Sequence, residues 1–242
     1  MGNPMINKEQ ALLAKILDLF ARKFDKNAIL RGGMVLRILG SQRLTNDLDY
    51  VFVPYKSKKD ILPEILNCLK SIEGATVDYT LNSKCLRVVV TADQATIQIE
   101  AKVAMDIKTS TTSTKLFSPE FNLPQRIIHV VDYSVAMANK MAAWNERRLI
   151  RDIYDIWFFI QMHIGPDIAT LESRLQSPSY SRLVPRTDYF KGTTVGEFYD
   201  FLRARVALLS DKEITEAMSD YLPREETTGL GMMFRAAMTR LH

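Results

Sequence analysis

The stretch Arg43-Leu-Thr-Asn-Asp47-Leu-Asp49-Tyr-Val-Phe-Val53 carries the strongest structural signal in this sequence. Polar and apolar side chains alternate from residue 47 onward, which predicts a half-buried β-strand. Side chains at i and i+2 of a strand project to one face, so Asp47 and Asp49 stand side by side while the intervening apolar residues enter a core. Neighbouring carboxylates repel unless a cation lies between them or water screens them. The pair therefore predicts a magnesium site completed by substrate phosphates, with a solvated strand end as the alternative.

Two glycines, Gly32 and Gly33, lie upstream of this strand, between a short apolar stretch and a helix predicted over 34–39. Glycine lets the backbone approach an anion closely, and the first N–H groups of a helix point at such a ligand. Arg43 and Thr45 add a cation and a hydroxyl close to the acids. Taken alone, the two glycines predict only a turn.

A third acid, Glu100, lies on a strand predicted over about 96–104. The apolar side chains of this strand alternate on one face, and Glu100 shares the other face with polar neighbours that include Lys102. If this strand lies beside the Asp47 strand, three carboxylates converge next to the glycine turn. Three converging acids form the ligand set for two metal ions that align a nucleophile with a phosphate.

The remaining patterns predict an α+β first part and a helical second part. The first part has further elements predicted over 8–24, 61–69, 76–81 and 85–91. The segment 108–125 is rich in hydroxyl groups and lacks periodicity, which predicts a linker or mobile loop. Helices are predicted beyond it over about 133–147, 149–163, 166–176, 194–209, 211–221 and 229–241. We expect an α+β domain over 1–115 and a helical domain over 116–242.

The composition is that of a globular protein, with 242 residues, of which 47% are hydrophobic and 25% charged. No apolar run approaches the ~18 residues of a membrane helix, and the first residues lack a signal-peptide pattern. We therefore expect no membrane partner and a cytoplasmic location, which suits Cys68 and Cys85 as buried reduced thiols. The three histidines show neither zinc-ligand spacing nor a neighbouring nucleophile for a hydrolase.

Positive charge is concentrated in the first part of the chain. Residues 1–115 carry 17 Lys and Arg against 12 Asp and Glu, whereas residues 116–242 carry 15 against 16. A basic excess around an acid cluster suggests an anionic partner such as a nucleotide or nucleic acid. Lys56, Lys58 and Lys59 are candidates for contacting RNA, with a solvated loop as the alternative.

Two blocks of the sequence resemble the AbiEii-type nucleotidyltransferase toxins of bacterial abortive-infection and toxin–antitoxin systems. Arg31-Gly-Gly-Met-Val-Leu and Arg43-Leu-Thr-Asn-Asp-Leu-Asp-Tyr50 match Gly-Gly-x-x-Leu followed by Arg-x-Ser/Thr-x-Asp-Leu-Asp-Phe/Tyr. Asn139-Lys-Met141 and Arg151-Asp-Ile-Tyr-Asp155 match a lysine that precedes an Arg-Asp-x-Tyr-Asp helix. The resemblance spans residues 31–157, and residues 165–242 match no pattern of the family.

The resemblance implies a polymerase-β-like nucleotidyltransferase core, a helical C-terminal region that contributes to the nucleotide site, and metal-dependent transfer. The implied ligands of Mg²⁺ or Mn²⁺ are Asp47, Asp49 and Glu100, and Lys140 and Asp152 join them as catalytic residues. The residues implied for binding a nucleoside triphosphate are Gly32, Gly33, Arg43, Thr45, Lys140 and Arg151. An acceptor hydroxyl, on a tRNA 3′ end or a protein, attacks the α-phosphate. A cognate antitoxin is implied as a partner.

The second block also has a physical interpretation without the family. Lys140 is expected on one helix and Arg151, Asp152 and Asp155 on the next, where the two acids are i,i+3 neighbours. A lysine near arginines can hold a triphosphate, and Asp152 can fix a basic side chain or reach substrate. A surface ion-pair cluster between two helices is the alternative.

Two other functions remain open for the chain as a whole. The same site could transfer the γ-phosphate, as a kinase does, or the chain could be a catalytically silent module that binds a nucleotide or an antitoxin. Arg147 and Arg148, between the two helices of the second block, are further candidates for phosphate contact.

Overall fold

The computed structural model describes residues 7–179 and 184–242. The chain divides into two compact units, Met1–Val131 and Asp132–His242. The first unit combines a mixed sheet with helices and the second is helical, so the α+β fold class predicted from the sequence is confirmed. No helix of the described residues is both long and apolar enough to span a lipid bilayer.

The first unit is built on one seven-stranded sheet. Its strands are β1 (Ala28–Arg31), β2 (Asp47–Phe52), β3 (Thr76–Leu81), β4 (Leu86–Ala92), β5 (Ala95–Val103), β6 (Thr109–Ser113) and β7 (Ile127–Val131). Their order is β3-β4-β5-β2-β1-β7-β6. The central strand β2 runs antiparallel to β1 and parallel to β5, and β1 runs parallel to β7. The helices are α1 (Lys8–Phe24), α2 (Gly33–Ile38) and α3 (Lys58–Lys70).

One face of this sheet forms the hydrophobic core of the unit. The rings of Tyr50 and Phe52 on β2 lie 5.2 and 6.0 Å from that of Phe20 on α1. Full burial of each such side chain contributes about 1.5–3 kcal/mol to stability. Cys68 and Cys85 are buried free thiols, as predicted. Because strand side chains alternate, burial of this face leaves the acids of β2 on the opposite face.

The predicted linker over 108–125 is wrong, because this segment contains β6. β6 pairs with β7, and β7 pairs with β1, so the sheet extends to Val131 and the units divide there rather than at residue 115. The strand β6 is an edge strand of threonine and serine only, and it therefore lacks apolar alternation. The strand β7 has only five residues, with His129 at its centre, and it is too short for its period to distinguish strand from helix.

The second unit contains all six helices that the sequence predicts. They are α4 (Tyr133–Arg147), α5 (Ile150–Gln161), α6 (Ile168–Gln176), α7 (Val195–Ala207), α8 (Asp211–Met218) and α9 (Leu230–Met238). Side-chain caps fix several helix starts: the Asp132 carboxylate accepts from the backbone at the start of α4, and Thr194 forms a capping box with Glu197 on α7. Buried aromatic residues, including Trp144, Phe198 and Phe234, form its core.

Candidate functional site

The turn between β1 and α2 presses its backbone against a carboxylate. Gly32 has φ 78° and ψ −157°, a conformation that only glycine adopts without strain. A Cβ atom on Gly32 would overlap Asp49 Oδ2 and lie 3.2 Å from Asp49 Cγ. The glycine therefore serves two purposes, a backbone conformation and a close approach to the acid.

The second glycine has a similarly crowded environment. A Cβ on Gly33 would overlap the Arg43 guanidinium and lie 3.2 Å from Thr45 Oγ1. Arg43 and Thr45 are buried, and the Thr45 hydroxyl donates to Asp47 Oδ1 at 2.8 Å. The amide of Gln10 on α1 donates to the Thr45 carbonyl at 2.8 Å, which anchors this segment to the core helix. The predicted nucleotide-binding residues of the first unit thus lie together around the two acids of β2.

Strand register places four charged residues in one row across the sheet. Arg31 pairs with Asp49, Asp49 with Glu100, and Glu100 with Arg87, on strands β1, β2, β5 and β4. Side chains at paired positions project to the same face. Asp47 lies two residues before Asp49 on that face, so the three predicted acids share one surface, as the position of β5 beside β2 requires.

Glu100 is engaged with a neighbouring strand in this structure. Its Oε1 accepts from Arg87 Nη2 at 2.9 Å and from Gln98 Nε2 at 3.4 Å. Among the described residues no group of three or more His, Cys, Asp and Glu side chains is arranged to hold a metal ion. Magnesium usually takes one or two carboxylates together with phosphates and water. Asp47 and Asp49 fit that pattern, whereas Glu100 would first have to leave Arg87, and its assignment as a ligand stays a prediction.

A lysine to which the sequence assigned no role, Lys102, lies on the same face. It is two residues beyond Glu100 on β5 and pairs with Val51. Partial burial of its amine lowers its pKa, and the positive charge of Arg31 adds to that effect, while Asp49 and Glu100 oppose it. Lys102 is therefore close enough to Arg31, Asp49 and Glu100 to interact with them electrostatically. The signal in the sequence was the period of two, which places Lys102 beside Glu100.

The Lys140 block forms a compact ion network in the second unit. Lys140 Nζ on α4 lies 2.5 Å from Asp155 Oδ2 and 3.9 Å from Asp152 Oδ1, both on α5. Arg147 donates to both oxygens of Asp152, at 2.7 and 2.6 Å. This hydrogen bonding raises the pKa of Arg147. Both carboxylates are 0% exposed, so the cluster is a buried network and not a surface ion pair.

Two other arginines near this network are held by the second unit itself. Arg151 Nη1 donates to Tyr221 Oη at 2.9 Å, and its guanidinium lies 5.4 Å from the centre of that ring. Arg148 ends α4 in a left-handed conformation and stacks 4.4 Å from the Trp144 ring. Burial, the largest effect, lowers the pKa of Arg148 to about 10. Arg148 is a helix cap and packing residue, and the role of Arg151 in nucleotide binding stays a prediction.

The three lysines that follow β2, Lys56, Lys58 and Lys59, lie in two different environments. Lys58 Nζ donates to the Ser83 carbonyl of the β3–β4 turn at 2.9 Å, so it has an internal partner that the sequence did not reveal. Lys56 and Lys59 are exposed. The structure therefore leaves two of the three lysines as candidates for contact with an external anion.

Comparison with known proteins identifies a family for the chain. The family model described as "Nucleotidyl transferase AbiEii toxin, Type IV TA system" matches residues 16–238. The match includes most of the C-terminal helices, which the sequence motifs did not reach. No curated protein matches the chain.

Two solved structures share the fold at low identity. JHP933 from Helicobacter pylori is 16% identical, with a TM-score of 0.51 over 96% of this chain and 91% of that one. The nucleotidyltransferase toxin MenT4 from Mycobacterium tuberculosis is 16% identical, with a TM-score of 0.50 over 96% and 92%. At this identity the structures establish the fold, and the family model establishes the membership. The chain belongs to the AbiEii family of nucleotidyltransferase toxins.

Proposed function

We propose that this toxin nucleotidyltransferase is metal-dependent and moves a nucleoside monophosphate from a nucleoside triphosphate to an acceptor hydroxyl. One observation carries the proposal: Asp47 and Asp49 stand side by side on β2, with Asp49 directly against the Gly32 backbone. Two adjacent carboxylates beside a glycine turn provide acid ligands and close backbone access at the same place, which suits a metal-bound polyphosphate.

The residues around the acids have distinct parts in this reaction. Asp47 and Asp49 would hold Mg²⁺ or Mn²⁺, which when bound neutralises phosphate charge and orients the reacting groups. Thr45 fixes the Asp47 carboxylate through its hydroxyl. Gly32 and Gly33 admit the triphosphate to the backbone, and Arg43 supplies positive charge beside Gly33. The acceptor oxygen forms a bond to the α-phosphorus, the bond to the β-phosphate oxygen breaks, and pyrophosphate leaves.

In the second unit, the contacts of Lys140 and Asp152 support a role for each residue in this reaction. Asp155 anchors the Lys140 ammonium, and Asp152 holds Arg147 through two hydrogen bonds. We assign Lys140 to triphosphate binding, because a charged group held by a buried partner is preorganised for an anion. Asp152 is then a positioning residue for the cations of the cluster.

A transfer assay with labelled nucleotides tests the proposal. The protein is incubated with Mg²⁺, total tRNA and each of the four triphosphates, labelled at the α- or the γ-phosphate. Transfer of α-label to tRNA, or to protein, supports nucleotidyl transfer and identifies the acceptor. Transfer of γ-label would instead establish a kinase, and no transfer with any nucleotide would favour a silent binding module.

We also propose a cognate antitoxin as a partner, since the family model is that of a toxin–antitoxin system. Co-expression with the product of a neighbouring gene should relieve growth inhibition by this chain. Growth inhibition that persists with every neighbouring gene product would contradict this part of the proposal.

A further inference from the structure

The strand β6 forms one edge of the sheet, and its alternate residues direct backbone groups away from the fold. Thr114, directly after β6, donates its backbone N–H to the Arg126 carbonyl at 2.9 Å. Because hydrogen-bonded pairs alternate along an antiparallel ladder, every second residue counted back from Thr114 also bonds to β7. The residues between them face outward, so Thr109 and Thr111 present both backbone groups at the edge and Ser113 presents its N–H. Among residues 7–179 and 184–242, the backbone groups of Thr109 and Thr111 have no hydrogen-bond partner.

The strand β6 lacks a charged residue, a proline and a bulge, three features that keep edge strands from pairing with other chains. It contains only threonine and serine, and all five of its residues pair with β7 in unbroken register. Thr109 and Thr111 are exposed, so this edge is open to solvent. The nearest lysines, Lys108 and Lys115, lie outside the strand. By contrast, the opposite edge strand, β3, carries the exposed Asp78 within it.

The residues that flank β6 make this edge complementary to a second copy of itself. Antiparallel pairing brings the segment before β6 of one copy next to the segment after β6 of the other. Asp106 precedes the strand and Lys115 follows it, and neither forms an ion pair within the described part of the chain. Met105 and Leu116, which are 57% and 56% exposed, occupy the adjoining positions. Opposite charges and apolar side chains would therefore meet at both ends of a pair of β6 strands.

We propose that two copies of this chain associate through β6, with the two strands antiparallel about a two-fold axis at Thr111. This register aligns the full length of both strands, because Thr111 is the middle residue of β6. Thr111 exchanges both backbone hydrogen bonds with the same residue of the second copy, and the Ser113 N–H donates to the Thr109 carbonyl of that copy. The facing side chains all carry hydroxyl groups, which can hydrogen bond across the strands. The inference concerns assembly and does not depend on the proposed transfer reaction.

Opposite charges introduced at Thr111 test the two-fold axis. Thr111→Lys places two ammonium groups against each other and Thr111→Glu places two carboxylates together, so each variant alone should weaken the dimer at least about tenfold. An equimolar mixture pairs a lysine with a glutamate and should restore the fraction of dimer found for the wild type. Sedimentation velocity at protein concentrations from ~1 to ~100 µM measures these fractions. Thr76→Lys, at an exposed position of the opposite edge strand β3, is the matched control and should leave the dimer unchanged.

Several results of this experiment would overturn the inference. A wild-type protein that stays monomeric up to ~100 µM has no such interface at concentrations relevant to specific association. A Thr111→Lys dimer as tight as the wild-type dimer would place the interface elsewhere. A mixture of the two variants that stays monomeric would remove Thr111 from the two-fold axis, and equal weakening by Thr76→Lys would assign the effect to net charge.

Amide hydrogen exchange in the wild-type protein tests the same interface without relying on the folding of a variant. The Thr112 amide bonds to β7 within one copy, whereas the Thr111 and Ser113 amides bond only to the second copy. Exchange at Thr111 and Ser113 should therefore slow at least about tenfold when the protein is concentrated enough to dimerise, while exchange at Thr112 stays constant. Exchange at Thr111 that does not depend on concentration would contradict pairing through β6, even in a protein that dimerises.

Discussion

The acids of the first unit and those of the second lie in very different environments. Asp47 and Asp49 lie half-buried on a strand face, against a glycine turn that a single methyl group would obstruct. Asp152 and Asp155 are fully buried, each within 2.5–2.7 Å of a cationic partner. A buried carboxylate is stable only when paired, whereas half-exposed carboxylates are partly screened by water and remain accessible to a cation from solvent. In the proposed function, this contrast separates the acids assigned to metal binding from those assigned to positioning.

The largest expected effect is on transfer by Asp49→Asn. Loss of a metal ligand should reduce α-phosphate transfer by about 100-fold or more, since even outer partners of a metal site cost 10–100-fold. The free energy of unfolding should stay within about 1 kcal/mol of wild type, because the carboxylate is half-exposed. Rates from the labelled-nucleotide assay and urea denaturation measure the two quantities.

Asp78→Asn is the matched control for this variant. Asp78 lies on the edge strand β3, in the row that also contains Asp47, and it is exposed. Its substitution should leave transfer unchanged. Equal rates for Asp49→Asn and Asp78→Asn would remove Asp49 from the site.

Asp152→Asn should lower the free energy of unfolding, which Asp49→Asn should leave nearly unchanged. Breaking a buried ion pair typically costs 3–5 kcal/mol, and we expect about 3 kcal/mol here because the Arg147 side chain is 34% exposed. Urea denaturation measures the loss in free energy of unfolding. A loss below about 1 kcal/mol would mean that this network does not stabilise the second unit, and the contrast between the two acid pairs would disappear.

Lys140→Ala combines the two kinds of effect. It should weaken triphosphate binding by ~1.5–3 kcal/mol if the ammonium contacts the nucleotide, and it should also destabilise the fold by leaving Asp155 buried without this partner. Calorimetric titration with a triphosphate and Mg²⁺ measures the first effect.

The double variant Lys140→Met with Asp155→Asn separates these contributions. It removes both charges, so most of the stability should return while nucleotide affinity stays low. Recovery of both quantities would assign Lys140 a structural role alone.

Gly32→Ala should lower stability and also impair transfer. Its backbone conformation costs an alanine about 1–3 kcal/mol, and the added methyl group displaces the Asp49 carboxylate. Gly74→Ala is the control, because Gly74 also has a positive φ, 70°, but open space around it. Thermal denaturation should show losses in both variants, and only Gly32→Ala should lose activity; equal activity would free the turn from a role in the site.

The sequence predicted most of the fold where local signals are strong. The strand Asp47–Phe52 and the six helices of the second unit follow from clear periodicity, and the structure has them within a few residues of the predicted bounds. The sequence did not predict the polar strand β6, because an edge strand needs no apolar alternation. It did not predict β7 either, because five residues are too few for the period to distinguish strand from helix.

The sequence predicted which residues are neighbours wherever those residues lie within a few positions of each other. The period of two places Asp47 beside Asp49, and the spacing of Asp152 and Asp155 places both on one side of a helix. The motif pattern then pointed to the family, since the residue types and their intervals are themselves the signal. None of these inferences requires a contact between distant strands.

Pairing between distant segments required the folded chain. Four contacts depend on sheet order, register or helix packing: Glu100 with Arg87, Asp49 with the Gly32 backbone, Lys58 with the β3–β4 turn, and Asp155 with Lys140. A single sequence shows which residues are charged but not which of them pair, because the free energy that selects a partner comes from burial and geometry at the point of contact. For that reason the residue types of the proposed site were evident from the sequence, whereas the burial and the ion pairs that distinguish its two acid pairs came only from the packed structure.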